Sequence, residues 1–255
     1  MANACMAFRN LADGAFLRAS SAAPFLPVQL LTDRHVGRKW RSTGNAAALF
    51  IDLGEATAVD TVALIGCSMD ATGSMRVRAS NSNSEVTSGV VVDETFDGLC
   101  DPEYGYQLGL LGDATAARYW RIDLDQPGAD YIEAGRLYIG DRYQFGINFQ
   151  YGWEIRWIDR SRKTKSRGGQ TFIDRDNQHR MFNLGFGFLR PDERYGFVEE
   201  LDRINGAHED VLFIGDPAAD HLGKVSVWGL IEEVSPVSQP FFRHFAKPYT
   251  IEERL

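Results

Sequence analysis

The chain has 255 residues, of which 44% are hydrophobic and 24% charged, and its formal net charge is −8. That length supports one large or two ordinary cores, and the acidic balance argues against a sequence-independent nucleic-acid binder. Three scattered cysteines, Cys5, Cys67 and Cys100, show no CxxC spacing, which excludes a disulfide framework and points to folding in a reducing cytoplasm. The start, MANACMAFRN, has no basic-then-apolar leader pattern, and no apolar run is long enough to insert in a bilayer.

The charge is unevenly placed. Residues 1–142 carry 12 basic and 18 acidic side chains, whereas residues 143–255 carry 15 and 17. After an irregular start, LLTDRHVGRKWRS (Leu30 to Ser42) is polar and turn-prone around Trp40. Short β-type runs follow at Ala48 to Leu53, Val59 to Gly66, Met75 to Ser80, Gly89 to Val92, Ala117 to Leu124 and Ala134 to Gly140. In the third run, Met75, Val77 and Ala79 alternate with Arg76 and Arg78, the period of a strand with one face inward. Many short strands between Gly, Asp and Asn turns predict an antiparallel β-sandwich.

A domain boundary is expected near Arg142. Beyond it, YGWEIRW alternates Trp153, Ile155 and Trp157 with Glu154 and Arg156, which predicts a strand buried on one face. Arg160, Arg162, Lys163, Lys165 and Arg167 then arrive within eight positions, and Gly168-Gly169 and Thr171 to Ile173 complete a long hairpin with a cationic tip. A charge run of this kind is either a solvated loop or an assembly contact. In RMFNLGFGFL, Phe182, Leu184, Phe186 and Phe188 alternate with smaller residues. Pro191 opens the one clear helix, PDERYGFVEELDRING, with acids in its first turn, an Asn205-Gly206 stop, and Tyr195, Val198, Leu201 and Ile204 expected on one face. Asp210 to Ile214 and Lys224 to Val234 read as strands.

The chemistry of catalysis is sparse. The five histidines show no HExxH or HxH spacing, so no metal site and no cofactor are expected. Gly66-Cys67-Ser68-Met69-Asp70 lacks the closing glycine of a nucleophile elbow, and Gly185-Phe186-Gly187 lacks the third glycine of a dinucleotide loop. The expectation is a protein that is not an enzyme, with a polysaccharide depolymerase as the remaining enzymatic alternative. Trp120 lies in an apolar strand and reads as core. Trp40 reads equally as core or as a sugar-stacking face, and Asp33 as a turn residue or a calcium ligand.

Two resemblances organise these elements. TDRHVGRKWRS, LFIDLGEATAVDTVALIG, MRVRASNS, ARYWRIDLDQPG and EAGRLYIG, in that order, resemble the discoidin or coagulation-factor C-type domain, a galactose-binding-like jelly roll, although the flanking disulfide of that family is absent. The resemblance implies a jelly-roll β-sandwich over residues 1–142 and makes Asp33, Trp40 and Arg41 candidates for binding a host surface glycan. Residues 143–255, through YGWEIRW, the basic loop ending SRGG, RMFNLGFGFL, the Pro-led helix, DVLFIGDP, VWGLIEEVSP and YTIEERL, resemble the distal-tail and tail-tube proteins of long-tailed bacteriophages.

That second resemblance implies a β-sandwich or split barrel flanked by one helix. It implies a structural virion protein of the tail tip or baseplate, made in the bacterial cytoplasm, with other tail proteins as partners and a homo-oligomeric, sixfold ring as its assembly. On that view Arg160, Arg162, Lys163, Lys165 and Arg167 form an assembly interface rather than a nucleic-acid site. The alternative is a carbohydrate-binding module, a lectin-like adhesin, without ring assembly.

Overall fold

The computed structural model describes residues 2–98 and 101–254; Cys100 and the final residue of YTIEERL lie outside them. The chain is mainly β, with antiparallel pairing in its main sheets. Contacts divide it into two compact units, one of residues 1–144 with 212–226 and another of residues 145–211 with 227–254.

The first unit contains β1 (Cys5–Ala7), β2 (Phe16–Ala19), β3 (Trp40–Arg41), β4 (Ala46–Ile65), β5 (Ser74–Ser80), β6 (Val90–Asp97), β7 (Tyr106–Asp125), β8 (Glu133–Ala134), β9 (Arg136–Gly140) and β10 (Tyr143–Gln144). Its main sheet runs β2-β4-β7-β5-β6, with β9 also paired to β4. The two runs expected at Ala48 to Leu53 and Val59 to Gly66 are one strand, β4, which passes through register shifts between Asp52 and Thr57 and between Val59 and Thr61. Gly54 at φ +82° and the exposed residues beside it interrupt the apolar pattern, so the sequence signal breaks where the backbone does not. Each half of β4 finds different outer neighbours, β2 for the first and β9 for the second.

Inward side chains of these strands build a continuous core that includes Leu49, Ile51, Val62, Leu64, Met75, Val77, Trp120, Ile122 and Leu137. The predicted faces of β5 hold: Met75, Val77 and Ala79 are buried and Arg76 is exposed. β1 lies between β10 and a later strand, Asp210–Ile214, with Cys5 opposite both Gln144 and Ile214.

The second unit contains β11 (Glu154–Asp159), β12 (Arg162–Lys165), β13 (Thr171–Asp174) and β14 (Gln178–Leu189). After β15, the Asp210–Ile214 strand, come β16 (Ser226–Ile231), β17 (Ser238–Phe241) and β18 (His244–Glu253). β18 pairs with β14, β16 and β17. Phe182, Leu184, Phe186, Tyr249 and Ile251 are buried, and Phe145 stacks on Phe186 at 4.0 Å between centroids. The predicted alternation in β14 fails at its end: a register shift after Phe186 buries Leu189 and leaves Phe188 exposed.

The helix spans residues 191–205, opening at Pro191–Glu193 and continuing through two π-helical stretches, Arg194–Val198 and Leu201–Asn205. Glu193 closes its first turn. The buried carboxylate accepts N–H bonds from Arg190 and Gly146, each at 2.7 Å. The expected face is only half right, because the wider π turns rotate successive residues by less than an α-helix does. Val198 and Leu201 are buried, whereas Tyr195 and Ile204 are exposed.

Candidate binding surfaces

The Asp33–Arg41 loop follows a 3-10 turn, Val28–Thr32, and is fixed at both ends. Buried Arg136 donates from Nη1 to the Thr32 carbonyl at 2.6 Å and from Nη2 to Asp13 at 2.8 Å. Val36 seats against two glycines; a Cβ on Gly135 would lie 1.9 Å from the Val36 oxygen, so no other residue fits there.

Asp33 accepts the His35 N–H at 2.9 Å and an Arg38 N–H at 3.1 Å. The His35 bond is the main cause that lowers its pKa below the ordinary carboxylate value. Its oxygens therefore close a turn. Trp40 is 0% exposed, and its Nε1 donates to the Ser21 carbonyl at 3.1 Å. It is core and offers no face to a sugar. Of the three residues proposed from the sequence for glycan binding, Trp40 is buried, Asp33 is half-buried and engaged in its turn, and Arg41 is half-buried beside an exposed ring.

Around Arg41 the structure supplies partners that the sequence did not reveal. β3 pairs with β8, setting Arg41 opposite Glu133. Arg41 Nε donates to Glu133 at 2.7 Å, and its guanidinium lies 4.1 Å over the ring of Tyr131, which is 40% exposed. The Ser42 N–H donates to the Ile132 carbonyl at 2.9 Å and the Ile132 N–H donates to the Ser42 hydroxyl at 2.8 Å, which holds the two segments in register. An exposed aromatic ring, a planar donor and a carboxylate acceptor thus form one rigid platform. The type of contact suits a polyhydroxylated ligand, whose C–H face packs on aromatics and whose hydroxyls both donate and accept.

The second surface is an arm. β11 pairs with the first half of β14, and β12 pairs with β13, so residues 154–183 fold as one long hairpin with a short break near Ser161 and Asp176. Ser166 and Gln170 close the tip, with Gly169 at φ +83°. The buried face predicted for Trp153, Ile155 and Trp157 is absent: they are 39%, 36% and 53% exposed. β11 is the outermost strand of its sheet, so its apolar row extends past the core that β14 and β18 cover. Phe172 and Ile173 are exposed too.

Arg162, Lys163 and Lys165 are exposed along β12, and Arg160 pairs with Glu252 at 2.5 Å. Arg167 is exposed in the turn. Residues 154–178 carry seven basic and four acidic side chains, so this arm is +3 and the remainder of the chain −11. The helix acids are largely engaged within their own unit. Glu193 caps, Glu199 pairs with Arg194 at 2.5 Å, and Asp202 receives Lys247 at 2.6 Å.

Among the described residues no three His, Cys, Asp or Glu side chains converge as a metal site, and no helix is long and apolar enough to cross a membrane.

No family model and no curated protein matches the chain. Solved structures align with about half of it. Chitosan-binding module 1 of a chitosanase/glucanase from Paenibacillus sp. IK-5 is 21% identical over 52% of this chain and 99% of its own, with a TM-score of 0.42. The family 32 carbohydrate-binding module of Clostridium perfringens NanJ, in complex with galactose, is 14% identical over 54% and 99%, at 0.42. A mutant lectin domain of lectinolysin, complexed with Lewis b, is 17% identical over 52% and 96%, at 0.42.

Proposed function

We propose that the chain is a non-enzymatic attachment protein whose first unit binds carbohydrate. The observation that carries this reading is the rigid Arg41–Tyr131–Glu133 platform, an exposed ring flanked by a fixed donor and a fixed acceptor. A glycan array probed with the full chain tests it. Binding that is lost in Tyr131→Ala and Arg41→Ala, with unchanged melting, is the expected result. A flat array, or binding indifferent to both substitutions, overturns it. Release of reducing ends from an array ligand would return the depolymerase alternative.

A finer reading, a tail-tip component of a long-tailed bacteriophage that assembles as a ring with other tail proteins, is favoured by the arm. Exposed Trp157, Phe172 and Ile173 beside four tip cations are costly in a solitary molecule and are expected where a subunit docks. Native mass spectrometry and incorporation into tails test this reading separately, since neither depends on sugar.

A further inference from the structure

We infer that the outward face of the main sheet in the first unit holds a second saccharide site, a groove of about 500 Å³ suited to a neutral sugar chain. This rests on the carbohydrate reading of that unit but uses none of the platform residues. The groove follows from strand register. Ala46 stands opposite Asp125, which stands opposite Ser74; in the next row Ala48, Asp123, Arg76 and Thr95 succeed one another across β4, β7, β5 and β6. Two alanines on β4 leave a trough where the neighbouring strands carry long polar side chains. Ser20 on the β2 side closes it, its Oγ accepting the Ala48 N–H at 2.9 Å.

The wall side chains are already paired with one another before any ligand arrives. Arg76 makes two bonds of 2.6 Å to Asp93. Arg121 donates to Asp123 at 2.8 Å, and Arg78 donates to the other oxygen of Asp123 at 3.0 Å. One row further, Phe50 lies beneath the guanidiniums of Arg18 at 4.0 Å and Arg121 at 5.0 Å. Planar donors fixed in this way lose little side-chain freedom on binding, which lowers the entropic cost of holding a flexible ligand.

Charge selects the ligand class. Among the residues lining the groove, Arg76 and Arg121 are matched by Asp123 and Asp125, so the groove itself has no net charge. A phosphate or carboxylate would meet Asp125, and a cation would meet the arginines. A neutral polyol meets alternating donors and acceptors at the spacing of adjacent strands, about 4.8 Å. Hydroxyls of Ser20, Ser74 and Thr95 extend the same pattern.

The test is calorimetric titration of the full chain with hexa-N-acetylchitohexaose, laminarihexaose and cellohexaose, and with a hyaluronan hexasaccharide as the anionic control. Ala46 is exposed, so Ala46→Trp fills the trough without entering the core, and Asp125→Ala removes an exposed acceptor without adding bulk. The expected result is binding of at least one neutral hexasaccharide that weakens at least tenfold in both variants and persists in Tyr131→Ala. Binding abolished by Tyr131→Ala but indifferent to Ala46→Trp would overturn the groove while upholding the platform. No binding by any neutral probe, or tighter binding of the hyaluronan probe, would overturn the groove and leave the array result to judge the platform.

Discussion

Replacing Trp40 separates a core residue from a sugar-binding one. Its side chain is 0% exposed within the core of the first unit, and its Nε1 bond to Ser21 is its polar anchor. Trp40→Ala removes the whole indole, and losses of this kind cost about 3–5 kcal/mol when the cavity does not collapse. Trp40→Phe keeps most of the ring but abandons the Ser21 carbonyl; leaving a buried acceptor unsatisfied costs about 1–3 kcal/mol, and the half-buried Ser21 favours the lower end. Urea denaturation of both variants should therefore rank them alanine below phenylalanine below wild type. Glycan binding by the folded fraction should be unchanged in Trp40→Phe. If Trp40→Ala left the urea midpoint in place while abolishing binding, the assignment of Trp40 to the core would be refuted.

Four further outcomes are expected. Reversing Arg162, Lys163 and Lys165 together to glutamate should leave the urea midpoint unchanged, since all three are exposed, and on the proposed tail-tip reading should block incorporation into tails; normal incorporation would remove the arm from that reading. Arg180 and Glu253 form an ion pair 1% and 8% exposed, so Arg180→Ala should cost about 3–5 kcal/mol by stranding the carboxylate, whereas Arg180→Met with Glu253→Leu should recover most of it. The Arg118 guanidinium is the main cause that holds the Asp52 carboxyl below its usual range, so this pair stabilises the fold above the unfolded carboxylate pKa of about 3.9 and the contribution is lost as pH falls through the lower folded value; Asp52→Asn should flatten acid unfolding monitored below about pH 4. Burial pushes the Cys5 thiol up to about 11, so iodoacetamide should spare it at pH 8 until the first unit unfolds, which mass mapping of the alkylated peptide would check.

The legible parts of the sequence were those where one local rule ran without interruption. β5 showed itself because Met75, Val77 and Ala79 meet the core while Arg76 and Arg78 do not. The ends of the helix were marked by Pro191 and Gly206, but its buried face was hidden by the π turns. The hairpin tip was marked by charge and by Gly169. The exposure of the Trp153–Trp157 stem was not, because an alternating apolar row looks the same whether its partner lies within the chain or outside it. Trp40 was ambiguous because its strand is two residues long in a polar loop. Tyr131 escaped notice since the ring gains meaning only from Arg41, brought beside it by the pairing of β3 with β8.

The place of β1 bears on how the protein is made. The ribosome releases Cys5 to Ala7 long before Leu212 to Ile214, the segment with which they form their longer ladder. Pairing of such distant segments is slow, because the loop must close before any contact rewards it. During synthesis at about 5–20 residues per second, the nascent first unit waits some ten seconds or more with one edge of this strand unpaired. Expression of residues 1–142 alone would make that delay permanent. The fragment would end before both β10 and β15, leaving β1 without either neighbour and with bare edges open to other chains.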